Sequence, residues 1–297
     1  MKARLLSSLI LVCIAAACGD DGPAPPADGP PPDIGFNKPT APLKGNANNA
    51  ELGPADLSCL GTPSTDQATT VDVALTTTVT DFQNGSIVPS AAVTVFQLGD
   101  PSLLIDMKTA DDSGMVTVTI PTGTKRFNFE MTAQGSLDTL LLNQIVQPSM
   151  MTQTIPTIQT VSMATATLLP ALINKSRTPG TGVLAGAMSD CAGHELSNFI
   201  ATVSSTRGTA APLPGADTYY FDPMAGLPVR HNQRAAASAD GLFMVIELPV
   251  TEIAYVQIWG YPTDADLAAD QLKLVAELAA PVIADTVITG AYEPLRQ

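Results

Sequence analysis

Charge is scarce in this chain: only 14% of its 297 residues are Asp, Glu, Lys or Arg, and acids outnumber bases by 28 to 14. A net charge of −14 excludes the basic surface that tracks phosphates, so nucleic acid is not an expected partner. Aromatics are few at 5%, and histidine occurs twice, as His194 and His231. Two histidines and four cysteines without a C-x-x-C pair are too few for a zinc site at ligand spacing. No G-x-S-x-G turn presents a nucleophile, and no base and acid are spaced around one, so a hydrolytic triad has no foothold. Both histidines read as surface-loop residues, His194 in "CAGHEL" and His231 in "PVRHNQR". A calcium loop beginning at Asp266 would need glycine at its sixth position and has Gln271 there, so no metal or other cofactor is expected.

What the chain does have begins at its first residues. Lys2 and Arg4 precede an apolar stretch, Leu5 to Ala17, that is shorter than the ~20 residues a permanent span requires. Residues 1–17 therefore read as a secretory signal. "I-A-A-A-C" resembles a bacterial lipobox, in which the cysteine becomes the first residue and carries acyl chains. The position three before the cysteine is Ala15 where leucine is usual, and an ordinary cleaved signal is the competing reading. Lipidation of Cys18 is preferred, because a secreted chain seldom leaves one free thiol beside its terminus. Two or more acyl chains anchor stably where one is marginal. The implied address is the cell envelope, at the outer membrane or cell surface, with the membrane reached through lipid. No second apolar run reaches bilayer length.

After the signal, 280 residues remain, enough for two domains. Positions 19–39 hold eleven prolines or glycines, and residues 18–56 as a whole read as a disordered, acidic tether. Cys59 and Cys191 form an even pair in a compartment that permits disulfides. A bond between them is favoured over two separate buried thiols, and closing a loop that long stabilises by up to about 5 kcal/mol.

From Thr70 the pattern alternates with period two, in "TVDVALTTTVTD", "PSAAVTVFQL", "GMVTVTIP" and "RFNFEMTA", the last placing Phe127, Phe129 and Met131 on one face. Turn chemistry in "DFQNG" and "ADDSG" separates these strands. The order then recurs. Asp81 aligns with Asp190, Gly85 with Gly193 after one deletion, Gly114 with Gly241, and Pro121 with Pro249, while "RFNFEMTA" matches "IAYVQIWG" at 253–260. The reading is all-β: two antiparallel Ig/transthyretin-like β-sandwiches at 57–153 and 180–297. Residues 154–179 form a linker, where Met163, Ala166, Leu169 and Ile173 keep helical spacing around Pro170. The second sandwich carries an inserted loop at 206–236, and its closing strands are expected at 272–278 and 286–292.

The ordered strands and glycine turns resemble the carboxypeptidase regulatory-like domain, over about 70–150 and 180–293. The second copy departs from it with "LPVTEI" where the first has a Pro-x-Gly turn ending at Gly123. That resemblance implies a transthyretin-like sandwich serving folding or adhesion, without catalysis of its own. Within the inserted loop, Tyr219, Tyr220, Arg230 and Arg234 are the candidate ligand surface, since aromatics beside planar cations can grip a sugar or a carboxylate. The competing reading buries the aromatics in the sandwich and pairs the arginines with local acid. The expected function is therefore a non-catalytic, lipid-anchored envelope protein, structural or weakly binding an envelope protein or glycan. The alternatives are a polysaccharide-binding surface accessory and an enzyme of unrecognised type.

Overall fold

The computed structural model describes residues 38–97 and 100–296. The signal, Cys18 and the first part of the tether lie outside those residues. The rest of the expected tether is folded, which corrects the 18–56 assignment. Lys44–Ala47 (β1) and Ala50–Pro54 (β2) form an antiparallel hairpin. Asn48 and Asn49 turn it with φ of 50° and 63°, the left-handed pair that a tight two-residue hairpin requires. The segment is short of apolar residues, yet Leu43 is fully buried, and Ala55 and Leu57 pack against the same core.

Eight strands follow, building the first sandwich, module one. They are Val73–Asp81 (β3), Ala92–Gln97 (β4), Asp100–Thr109 (β5), Met115–Ile120 (β6), Phe127–Thr132 (β7), Ser136–Gln144 (β8), Thr152–Thr154 (β9) and Ile158–Ser162 (β10). One layer sets β3 between β6 on one side and β9 and β10 on the other. The other layer runs β5-β4-β7-β8. Alternation puts Val73, Leu75, Val116, Val118, Val93, Val95, Phe127, Phe129 and Met131 between the layers, as the period-two pattern requires. The Phe127 and Phe129 rings meet edge to face, 5.3 Å apart. Because β10 pairs with both β3 and β8, the span 154–179 is not wholly a linker; its first part completes module one. The helix foreseen there is Met163–Leu172 (α1), capped where the Thr165 amide donates to Ser162 Oγ at 3.2 Å.

Module two comprises Gly182–Met188 (β11), Glu195–Ser197 (β12), Ile200–Ser204 (β13), Asp217–Asp222 (β14), Leu227–Val229 (β15), Leu242–Leu248 (β16), Thr251–Gly260 (β17), Lys273–Val282 (β18) and Thr286–Tyr292 (β19), with a single helical turn, Asp264–Ala268 (α2), before β18. Its layers are β15-β14-β16-β11-β19 and β13-β17-β18. The expected loop 206–236 thus contains two strands, β14 and β15, which extend the first layer. The chain's own N-terminus completes this module: β1 pairs with β12, and the Leu43 amide donates to the Tyr261 carbonyl at 2.8 Å.

The repeat inferred from sequence is present in the backbone. The Val79 amide donates to the Gly114 carbonyl at 2.8 Å, and the Met188 amide to the Gly241 carbonyl at 3.0 Å. Both glycines have positive φ, 72° and 65°. A Cβ on either would lie under 3 Å from the partner strand's carbonyl, 2.9 Å from Val79 O and 2.7 Å from Met188 O, so the turn demands glycine in each copy.

The two modules are not beads on a string. β19 pairs in parallel with β8, with Thr286 opposite Asp138 through Gly290 opposite Leu142. One continuous sheet therefore runs β15-β14-β16-β11-β19-β8-β7-β4-β5 through both. The run Leu140-Leu141-Leu142 breaks period two because β8 serves more than one core. Leu140 and Leu142 enter the core of module two, Leu141 packs against that of module one, and Leu137 joins a third cluster beneath α1. Burying Leu140 and Leu142 in the neighbouring module stabilises the junction by about 1.5–3 kcal/mol each. Arg126 adds an ionic tie: it donates to Asp66 Oδ2 at 2.5 Å, Asn143 Oδ1 at 2.6 Å and, in module two, Glu293 Oε1 at 2.5 Å.

Candidate functional site

The inserted segment does not form the expected ligand surface. Strand β14 is covered on both sides, by α1 outside and by the opposing sheet inside, so its consecutive aromatics are buried on alternate faces. Tyr219 is fully buried in the cluster with Ala166, Ile173 and Met244. Tyr220 faces the other way, edge-on to Phe199 at 6.3 Å, and the Ala201 amide donates to its hydroxyl at 3.0 Å. Burial pushes the Tyr220 phenol well above its ordinary value. Arg230 and Arg234 lie half-buried in the loop after β15. The positive charge of Arg234 acts on Asp222 and Asp240. Rings and guanidiniums therefore do not share an accessible face.

What the segment does hold is a buried polar knot. The Tyr219 hydroxyl donates to Asp217 Oδ2 at 2.6 Å, His231 Nε2 lies 2.9 Å from Asp217 Oδ1, and Lys175 Nζ lies 3.4 Å from Oδ2. The His231 ring stacks on Tyr219 with centroids 4.3 Å apart. The His231 side chain is only 13% exposed, so it is not the surface-loop residue expected from sequence; a carboxylate 14 positions earlier supplies its buried partner. Burial raises the Asp217 carboxyl, but hydrogen bonds from His231 and Tyr219 and the charges of His231 and Lys175 outweigh it and hold the group below its usual range. The knot pins β14, the loop after β15 and the end of α1 together.

Cys59 and Cys191 are bonded, with Cα atoms 5.7 Å apart across 132 residues of sequence. The bond fastens the segment after the β1–β2 hairpin to the first turn of module two. In that turn Asp190 Oδ1 accepts from the Ala192 and His194 amides at 2.9 Å each, and Oδ2 accepts from the Asp56 amide at 3.0 Å. Asp81 performs the same task in module one, accepting from the Gln83 and Asn84 amides at 3.0 and 3.2 Å.

Beside Asp81 lies an open, shallow cleft of about 430 Å³. One wall is the first-turn segment Asn84 to Pro89. The other is the β7–β8 turn, Gln134 to Ser136, with Ser162 at the helix cap. Its lining is mostly hydroxyl, amide and carboxylate, with Ile87, Val88 and Pro89 as the apolar element. Nothing in the sequence marks it, because its two walls are at least 45 residues apart and made of ordinary turn residues. Among the described residues no group of three or more His, Cys, Asp or Glu could hold a metal ion, and no helix is long and apolar enough to cross a membrane.

Neither a family model nor a curated protein matches the chain. Solved structures are matched only at low similarity. The chain is an all-β, sandwich-built protein. The Bacillus anthracis TIE protein is matched at 12% identity and a TM-score of 0.26, over 76% of this chain and 34% of that one. The shaft pilin SpaA of Lactobacillus rhamnosus GG is matched at 13% identity and a TM-score of 0.21, over 76% of this chain and 98% of the pilin. A 3-chlorocatechol 1,2-dioxygenase from Rhodococcus opacus is matched at 13% identity and a TM-score of 0.24, over 38% and 68%. The chain thus spans about a third of the TIE protein's length, and likenesses this distant carry no functional argument.

Proposed function

We propose that the chain is a lipid-anchored, non-catalytic protein of the cell envelope, in which two carboxypeptidase regulatory-like modules form one rigid body. That body displays a binding surface at a distance from the membrane. The observation that carries this reading is the junction. A shared sheet, a disulfide and the Arg126 ion pairs fix two modules whose separate cores would otherwise allow independent motion. A disulfide across 132 residues fits an oxidising compartment, which an exported chain enters. The first described residues, at 38 onward, lead into the hairpin clamped on module two. A pull transmitted from Cys18 would therefore load module two first, through the hairpin and the disulfide. Mass spectrometry of the mature N-terminus in the native host tests the anchor: acyl mass on Cys18 is expected, with Cys18→Ala leaving unprocessed or soluble protein. Unacylated wild-type protein free in the medium would overturn it.

A further inference from the structure

The repeat allows each surface of one module to be compared with its counterpart in the other, and the module-one cleft has a telling counterpart. The isolated bridge Thr80–Ile87 corresponds to Ser189–Glu195, so Ile87, Val88 and Pro89 match the residues of β12, Glu195 to Ser197. Ala92 faces Thr132 as Ile200 faces Trp259, which makes Ala133 the counterpart of Gly260 and Gln134 that of Tyr261. The two walls of the cleft are therefore the same two walls that, in module two, receive the chain's own N-terminal strand. There β1 pairs with Glu195, Leu196 and Ser197 on one side, and the Leu43 amide reaches the Tyr261 carbonyl on the other. Module two fills its groove from within the chain; among the described residues nothing fills the module-one groove, which remains a cleft.

We propose that the module-one cleft docks an extended strand from a partner polypeptide, by the same main-chain pairing that holds β1 in module two. Two differences define the strand it takes. In module two a Cβ on Gly260 would lie 2.5 Å from Leu43 Cδ2, so the leucine fits only because that position is glycine. Module one has Ala133 there, whose methyl excludes a leucine seated as deeply. The lining of Asp81, Asn84, Ser86, Gln134, Ser136 and Ser162 instead offers partners to a small hydroxyl or amide side chain. Pro89 replaces Ser197 and lacks an amide, so the docked strand pairs over a shorter stretch than β1 does. Short pairing without a deep anchor gives weak, reversible binding, suited to transient contact with a partner protein. This inference does not depend on the lipid anchor, so either can fail alone.

The test uses the full-length protein and a synthetic peptide of residues 40–47 carrying Leu43→Ser. Hydrogen exchange is followed by mass spectrometry at millimolar peptide. Exchange should slow by about threefold or more in 86–89 and 134–136. Gln134→Trp and Ser86→Trp, on opposite walls at the surface, should each abolish that protection while core exchange stays unchanged. Absence of protection in the wild type would overturn the proposal. So would protection confined to 195–198 and 260–261, which would mean the peptide had displaced β1. A wild-type dimer in sedimentation that Gln134→Trp dissolves would also overturn it, by making a second copy's strand the occupant.

Discussion

Replacing Leu43 tests whether the N-terminal segment is part of the fold. The side chain is fully buried in the core of module two, and its Cδ2, Cγ and Cδ1 lie 2.5, 2.9 and 3.1 Å from where a Cβ on Gly260 would stand. Leu43→Ala removes about three methylene equivalents, about 2.4 kcal/mol of transfer free energy at ~0.8 kcal/mol each, and leaves a cavity that brings the total to about 3–5 kcal/mol. Gly260→Ala alone forces a methyl into occupied space and should cost about 1–3 kcal/mol. Combined, the new methyl enters the space the leucine vacated. The double variant should therefore be more stable than the two single costs imply, by about 1–2 kcal/mol. Urea unfolding of the four proteins measures the coupling. Additive losses, or a Leu43→Ala variant as stable as wild type, would refute the packing of this segment against β17.

Three further outcomes follow from the same geometry. Gly114→Ala and Gly241→Ala should each lower stability by about 1–3 kcal/mol, because each puts a Cβ into left-handed backbone against a strand carbonyl; similar losses in thermal unfolding would support the equivalence of the two turns. Replacing Cys59 and Cys191 together by serine should lower the melting temperature by an amount bounded by about 5 kcal/mol of chain entropy, with the circular-dichroism spectrum unchanged because each module retains its own core. The Asp217 carboxyl is held below its ordinary value, so its contribution is complete above the unfolded carboxyl pKa of about 3.9 and disappears as pH falls through the lower folded value. Asp217→Asn should accordingly be less stable than wild type at neutral pH and lose less on acidification, and parallel pH profiles in urea would contradict that.

The architecture was legible where local patterns decide structure. Val116, Val118 and Ile120 alternate with exposed neighbours, as a strand buried on one face must. Met163, Ala166 and Ile173 found their helix, with Pro170 accommodated in its last turn. The strands expected at 272–278 and 286–292 formed as β18 and β19, and the expected disulfide joins Cys59 and Cys191. Illegibility began where an element is buried on both faces or depends on a distant partner. Composition hid the hairpin at 44–54, although Asn48-Asn49 is turn chemistry that could have revealed it. Three consecutive leucines in β8 carry no period, because module two supplies the second buried face only after folding. Tyr219 and Tyr220 suggested an exposed aromatic grip because neither the cover of α1 nor the opposing Phe199 could be read locally. The cleft beside Asp81 becomes visible only when turns far apart in sequence come together.

The claim that the two modules form one body is tested most directly by unfolding the disulfide-reduced protein with two probes at once. Trp259, the chain's one tryptophan, reports module two by fluorescence, and pulsed hydrogen exchange in β4 and β7 reports module one. With the β8–β19 ladder and the shared leucines intact, the two transitions should coincide at one urea midpoint. Separate midpoints, with module one unfolding while Trp259 keeps its native emission, would contradict the account.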